Sequence, residues 1–166
     1  MLSFGQTLSR DEIARRIPHQ GSMCLLDRVL AWDKDLIRCE ASSHSAPDHP
    51  LRAHGRLGAA CGVEYAAQAM AVHGALVAQA ESGEGGSAAP GLGYLASMRS
   101  VTLHVQRLDT IAGPLSVNAQ RITGDANTVL YSFSVQAGAQ TLLSGRAVVV
   151  LDAAGLAPTG PGRTSP

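Results

Sequence analysis

The sequence predicts an α+β fold in which a curved antiparallel β-sheet wraps around one long central helix. Three observations support this class. Residues 59–80 are almost all small and apolar, which is typical of a helix that is buried on every side. After about residue 100, apolar side chains recur at every second position, as in strands with one buried face. The turns between these strands are short, which favours antiparallel pairing and packing of a sheet on a helix.

The first half of the chain predicts one short helix and one β-hairpin before the long helix. Ser9 and Glu12 have the spacing of a capping box, so a helix is expected from there to about Arg16. The stretches 23–32 and 36–45 are predicted strands, because apolar residues dominate both and a polar turn separates them.

The second half predicts four strands. They are expected around residues 101–105, 114–120, 131–136 and 141–151, with a hairpin turn at 124–127. The Gly/Ser/Pro-rich stretch 82–93 is a predicted loop. Residues 1–151 therefore form one predicted domain, and residues 152–166 are expected to be a disordered tail.

The composition restricts the possible partners and the compartment. The 166 residues have a formal net charge of +0, which gives no bulk attraction to nucleic acid or to an anionic membrane. The three cysteines are scattered, without a CxxC pair, and no signal peptide is visible, so reduced thiols and a cytoplasmic location are expected. Glu64, Gln68 and His73 interrupt the long apolar run and argue against membrane insertion.

Glu64 is the strongest functional signal in the chain. It lies near the start of the predicted buried helix, and Gln68 follows one turn later on the same face. A buried carboxylate is costly unless a partner stabilises it or the protein uses it chemically. We therefore expect a site at Glu64.

Two motifs resemble those of a known enzyme family. Residues 17–29 read I-P-H-Q-G-S-M-C-L-L-D-R-V and resemble the L-P-H-x-x-P-x-L-L-V-D-R-V opening of FabZ-type 3-hydroxyacyl-carrier-protein dehydratases. Residues 64–69 read E-Y-A-A-Q-A and resemble the E-x-M-A-Q-A helix of the same family. The short segment before the helix is similar to that of the ApeP-like branch from aryl polyene gene clusters. The resemblance covers roughly residues 10–150 and implies the hot-dog fold, in which sheets usually pair through their edges into dimers.

The resemblance implies dehydration of a 3-hydroxyacyl thioester to the trans-2-enoyl thioester in fatty-acid or polyene biosynthesis. Glu64 matches the family's catalytic acid, and Gln68 and His19 match motif residues that we expect to support the site. Backbone N–H groups at Cys61 and Gly62 are candidates to polarise the thioester carbonyl, as a helix N-terminus can. The Cys61 thiol itself is expected to be a small buried group rather than a nucleophile.

The catalytic base is the point at which the sequence departs from the family. The family carries its histidine in G-H-F-P or, in the ApeP-like branch, G-H-L-P, whereas residues 55–58 read G-R-L-G. Arg56 thus occupies the histidine position, and arginine does not act as a base near neutral pH. His49, fifteen residues before Glu64, is the first candidate. His54 and the absence of a base in this chain remain alternatives.

The implied partner is an acyl carrier protein, which presents the substrate on phosphopantetheine, so no resident cofactor and no metal site are expected. A receiving surface for this acidic partner should be basic, and the candidates are Arg52, Arg56, Arg99 and Arg107. The resemblance leaves a homodimer or a heterodimer with another FabZ-like subunit open. A non-catalytic subunit of a heteromeric dehydratase and an acyl thioesterase are the alternative functions.

Overall fold

The computed structural model describes residues 7–82, 93–125 and 127–151, which form a seven-stranded antiparallel sheet and a long helix. The strands are β1 (Leu8–Ser9), β2 (Arg28–Trp32), β3 (Leu36–Ala41), β4 (Gly93–Leu103), β5 (Leu115–Gly124), β6 (Thr128–Ala137) and β7 (Gln140–Leu151). The helices are α1 (Arg10–Ala14) and α2 (Gly62–Ser82), with short 3-10 turns at Gly21–Met23, Ser43–Ser45 and Ala59–Cys61. The predicted α+β class is confirmed. The predicted loop at 82–93 and the predicted tail lie outside the described residues, apart from the loop's first and last positions.

Helix α2 covers one face of the sheet, where it contacts strands β3, β4, β5 and β6. Its buried face contains several alanines, which let the helix approach the strands closely. The largest of its buried side chains are those of Tyr65, Gln68, Met70, His73 and Leu76. The other side is only half-buried, and residues 78–82 are exposed. The helix is therefore not buried on every side as its composition predicts, because a single sheet covers only one face of it.

The sheet order is β1-β2-β3-β5-β6-β7-β4. Ile37 and Cys39 on β3 pair with Ala119 and Val117 on β5, and all four side chains are buried. The intervening residues point to the outer face of the sheet. The connection through α2 carries the chain from β3 across the sheet to β4, which pairs with β7 and forms the far edge. No helix in the described part of the chain is both long and apolar enough to span a membrane.

The N-terminal elements differ from their predicted lengths. The capping box is confirmed, since the Glu12 N–H donates to Ser9 Oγ and the Ser9 N–H to Glu12 Oε2, but α1 ends at Ala14. The strand predicted from residue 23 begins only at Arg28, because residues 23–25 hydrogen-bond to helix α2 instead of to a neighbouring strand. The strand predicted to reach residue 45 ends at Ala41, before the second 3-10 turn.

Candidate active site

The two sequence motifs meet at the start of helix α2. Glu64 lies in the first turn of the helix, and His19 lies in the loop after α1. The His19 Nε2 atom is 2.9 Å from Glu64 Oε1, and the two side chains are 28% and 34% exposed. Gln68, one turn further along α2, donates from Nε2 to the same oxygen at 3.3 Å. Both residues expected to support Glu64 therefore contact it, at a position that solvent reaches.

Gln68 also fixes the loop that carries His19. Its fully buried amide donates to the Met23 carbonyl at 2.8 Å and accepts the Leu25 N–H at 2.9 Å. These two bonds replace strand pairing for residues 23–25. The opening motif and the helix motif thus form one structural unit, in which an amide joins the loop to the helix next to the carboxylate.

His49 lies in a separate, buried hydrogen-bond chain. Its Nδ1 accepts the Leu51 N–H at 3.0 Å, and its Nε2 is 3.0 Å from the Tyr65 hydroxyl. That hydroxyl is 2.7 Å from Ser43 Oγ, which donates to the Leu25 carbonyl at 2.9 Å. A carbonyl can only accept, so the donors follow in one order. His49 Nε2–H donates to Tyr65, and Tyr65 donates to Ser43.

This hydrogen-bond chain keeps His49 neutral and engages both of its ring nitrogens. Burial, reinforced by the nearby Arg52, lowers the pKa of His49 below its ordinary value, and burial raises the pKa of Tyr65 to about 12. Within the described residues, no hydrogen bond or ion pair joins His49 to Glu64. To accept a proton from a substrate, His49 must first release the Leu51 N–H from Nδ1, its unprotonated ring nitrogen.

His54, the alternative base, lies in an exposed turn. The backbone of this turn pairs Ala53 with Arg56, and His54 itself has φ +52°. It has no side-chain hydrogen bond among the described residues. Arg56, which stands at the family's histidine position in the sequence, is exposed in the same turn.

The helix start offers fewer free donors than the sequence suggests. The Cys61 N–H donates to the Gly58 carbonyl at 3.0 Å, and the Gly62 N–H donates to Ala59 and Ala60 carbonyls in the 3-10 turn. A side chain at position 62 would meet Leu143 Cδ2 at 2.4 Å, so the glycine makes room for strand β7. Burial raises the pKa of the half-buried Cys61 thiol, which is opposite to the activation of a nucleophile.

The four candidate arginines differ in whether an acidic side chain holds them. Arg107 forms a bidentate pair with Asp109 and thereby holds the pKa of that carboxyl below its usual range. Arg52 Nη1 lies 4.0 Å from the same carboxylate. Arg56 and Arg99 are exposed and make no ion pair among the described side chains. Asp109 therefore lies within ion-pair distance of two of the four arginines, Arg52 and Arg107.

An open groove of 740 Å³ lies away from these residues, on the outer face of the sheet. Its walls are formed by strands β3, β5 and β6, with the polar residues Arg38, Glu40, Asn118, Gln120 and Gln136 among them. Glu64, His19 and His49 do not line it. The chemistry-bearing residues instead cluster around the start of α2.

Sequence reasoning did not identify the roles of Tyr65 and Ser43. Tyr65 directly follows Glu64 in the helix motif, and a buried tyrosine usually finds a hydrogen-bond partner for its hydroxyl. The need of the Tyr65 hydroxyl for a partner was therefore the signal in the sequence for a buried hydrogen-bond chain at this position. The sequence contained no comparable signal for Ser43.

A seven-stranded antiparallel sheet packed on one long helix, with a carboxylate in the first turn of that helix, is the arrangement of a hot-dog protein of the dehydratase and thioesterase type. The model of the ApeP-like dehydratase family (ApeP dehydratase) matches residues 11–155, and the chain belongs to that family. No curated protein sequence matches it.

Solved structures agree on the fold. The ApeI:P dehydratase heterocomplex from Xenorhabdus doucetiae is 23% identical with a TM-score of 0.70, over 86% of this chain and 91% of that one. The thioesterase HI1161 from Haemophilus influenzae is 14% identical with a TM-score of 0.60, over 92% and 95% of the two chains. A mutant form of thioesterase PA1618 from Pseudomonas aeruginosa is 12% identical with a TM-score of 0.60, over 89% and 96%. The predicted hot-dog fold is thus confirmed.

Proposed function

We propose that this protein dehydrates a 3-hydroxyacyl thioester, carried on an acyl carrier protein, to the trans-2-enoyl thioester. The observation that carries the proposal is the position of the Glu64 carboxylate at the start of helix α2, in a chain that belongs to a dehydratase family. Glu64 lies in the first turn of a central helix, is 34% exposed, and has one oxygen in contact with both His19 and Gln68. A carboxylate so held can exchange a proton at its second oxygen.

The reaction moves one proton and removes one water. A base takes the proton from the carbon next to the thioester carbonyl, the electron pair forms the new double bond, and the C–O bond to the 3-hydroxyl breaks. Glu64, as the general acid, supplies the proton that lets this oxygen leave as water. The developing enolate oxygen requires hydrogen-bond donors.

The occupied state of His49 favours a heteromeric form of this proposal. Both ring nitrogens of His49 are engaged, and Arg56 stands where the family has its histidine. A second hot-dog subunit that supplies a histidine would complete the site, and the ApeI:P structure is that of a dehydratase heterocomplex. The edge strand β4, with Val101 and Leu103 exposed, offers an edge for pairing. His49 remains the candidate base for a chain that acts alone.

The proposed setting is fatty-acid or aryl-polyene-type biosynthesis in the cytoplasm. The three cysteines are scattered along the sequence without a CxxC pair, which favours a reducing compartment. Arg56, which is exposed and makes no ion pair among the described side chains, is the first proposed contact for the acidic carrier protein, and the half-buried Arg52, 4.0 Å from Asp109, is the second.

The test is turnover of a 3-hydroxyacyl carrier protein, with mass detection of the loss of one water. The chain is assayed alone and together with a FabZ-like hot-dog partner. Glu64→Gln should lower kcat by about 100-fold or more in the active assembly, because the amide cannot donate or accept the proton. Glu81→Gln, at the exposed end of the same helix, is the matched control and should retain activity.

Each outcome separates the alternatives. Turnover by the chain alone supports an enzyme with its own base. Turnover only with the partner supports the heteromeric form, and Glu64→Gln then decides whether this subunit supplies the acid. Release of free thiol without loss of water would instead indicate a thioesterase. Full activity of Glu64→Gln would remove Glu64 from the site.

A further inference from the structure

The two oxygens of the Glu64 carboxylate have different surroundings. Oε1 lies 2.9 Å from His19 Nε2, within ion-pair distance, and accepts a hydrogen bond from Gln68 Nε2 at 3.3 Å. Oε2 has no hydrogen-bond or ion-pair partner in the described part of the chain. These two contacts on one oxygen restrict the rotation of the carboxylate and leave the other oxygen available.

The orientation of the His19 ring suits support better than proton transfer to a substrate. Nε2 is the ring nitrogen that lies next to Glu64, so Nδ1 is the nitrogen left for any exchange with a substrate. Nδ1 is shut off from solvent and has no hydrogen-bond partner within the described residues. A substrate cannot reach that nitrogen unless the ring turns and gives up its contact with Glu64. His19 is therefore placed to act on the substrate through the carboxylate.

The loop that presents His19 is held from both sides. Gln20 Nε2 donates to the Ala14 and Ile17 carbonyls at 2.9 and 3.3 Å, which fixes the residue after His19 to the end of α1. Gln68 holds the loop at residues 23 and 25 to helix α2. The His19 ring thus reaches Glu64 from a loop whose position is set by other bonds, as required of a group that orients a second one.

We propose that His19 is a positioning residue, which holds Glu64 so that Oε2 faces the reacting 3-hydroxyacyl group. The proposal rests on the proposed function, since it assigns a role within that reaction. Without His19, the hydrogen bond from Gln68 at 3.3 Å is the remaining contact among the described residues that orients the Glu64 carboxylate. The carboxylate then samples other rotamers, and misplacement of a reacting group slows the chemical step more than it weakens binding.

The experiment compares two amides that differ only in reach. In His19→Gln the amide nitrogen extends about as far as Nε2 does, so it can still donate to Glu64. In His19→Asn the amide nitrogen is at about the distance of Nδ1 and falls short. His19→Ala removes the donor, and His104→Ala, on an exposed position after strand β4, is the matched control. All variants are assayed for dehydration in the assembly in which the wild-type chain is active.

The expected result is a loss in kcat without a matching change in KM. His19→Ala and His19→Asn should lower kcat about 10- to 100-fold, with KM within about twofold of wild type. His19→Gln should recover to within about fivefold of wild type, and His104→Ala should match wild type. If His19→Ala does not fold, as judged by its unfolding transition, the Gln and Asn pair still decides the question.

Three results would overturn the proposal. Wild-type turnover in His19→Asn would show that the contact is dispensable. Equal inactivity of folded Gln and Asn variants would show that the ring itself transfers a proton. A change confined to KM would place His19 in substrate binding. In all three cases the wild-type chain is active and the proposed function stands, whereas an inactive wild-type chain in every assembly overturns both.

Discussion

Gly62 gives the sharpest stability prediction, because the structure supplies both the contact and its control. A Cβ at this position would lie 2.4 Å from Leu143 Cδ2, 3.0 Å from Cδ1 and 3.2 Å from Cγ. Leu143 is fully buried on β7, so it has little room to move aside. The backbone at Gly62 is ordinary right-handed helix (φ −61°, ψ −23°), and alanine adopts it freely. The close approach is therefore the only cost of the Gly62→Ala substitution.

Gly74 is the matched control in the same helix. An added Cβ there meets no atom within 4 Å. Gly74→Ala should gain about 1 kcal/mol in the free energy of unfolding, from helix propensity. Gly62→Ala should lose about 1–3 kcal/mol through overpacking, against at most a propensity gain of about 1 kcal/mol. Urea titration at equilibrium measures both variants against the wild type.

The Leu143 side chain provides an internal check. In a Leu143→Ala background the clash partner is gone, so adding Gly62→Ala should no longer destabilise the protein. The two substitutions should therefore couple by about 1–3 kcal/mol in a double-mutant cycle. If Gly62→Ala is as stable as Gly74→Ala, the helix does not approach β7 as closely as described. The glycine would then be better explained by substrate access.

Two further predictions concern the buried polar chains. Tyr65→Phe should lower the free energy of unfolding by about 1–3 kcal/mol, because it leaves the buried His49 Nε2–H without an acceptor. An unchanged midpoint of urea unfolding would contradict the hydrogen bond assigned from His49 to Tyr65. Burial lowers the pKa of both His49 and His73. As the pH falls, these two histidines therefore bind protons in the unfolded chain before they do so in the folded chain. Stability should fall as the pH drops below about 6.5, by up to about 1.4 kcal/mol per pH unit for each histidine, and should not depend on them above that value. His49→Gln should flatten this slope relative to wild type in pH-dependent thermal unfolding, and equal slopes would show that His49 is not held neutral.

Local patterns in the sequence predicted those features that depend on neighbours along the chain. The capping box at Ser9 and Glu12 formed as expected, because its donors and acceptors lie within one helical turn. The alternation of residues 131–136 predicted the inward and outward faces of β6, because strand geometry repeats every two residues. Asp125 forms the predicted turn, accepting the N–H groups of Asn127 and Thr128.

Local patterns failed where a distant group replaced a local bond. Residues 23–27 have strand-like composition, yet a side chain of helix α2 accepts the N–H of Leu25 and donates to the carbonyl of Met23. Leu25 and Leu26 are buried without belonging to a strand. Apolar composition reports burial alone, and it does not specify which partner satisfies the backbone.

The sequence by itself determined the fold class and the family resemblance, and it singled out Glu64 as a candidate because a carboxylate in an apolar helix is costly when it is buried. Only the tertiary structure decided what surrounds that carboxylate. His19, forty-five residues away in the chain, reaches Glu64 because Gln68 holds its loop on the helix. His49 is nearer in sequence but bonds to Tyr65 instead. Adjacent positions on a helix point about 100° apart, so residues 64 and 65 of one motif serve two separate networks.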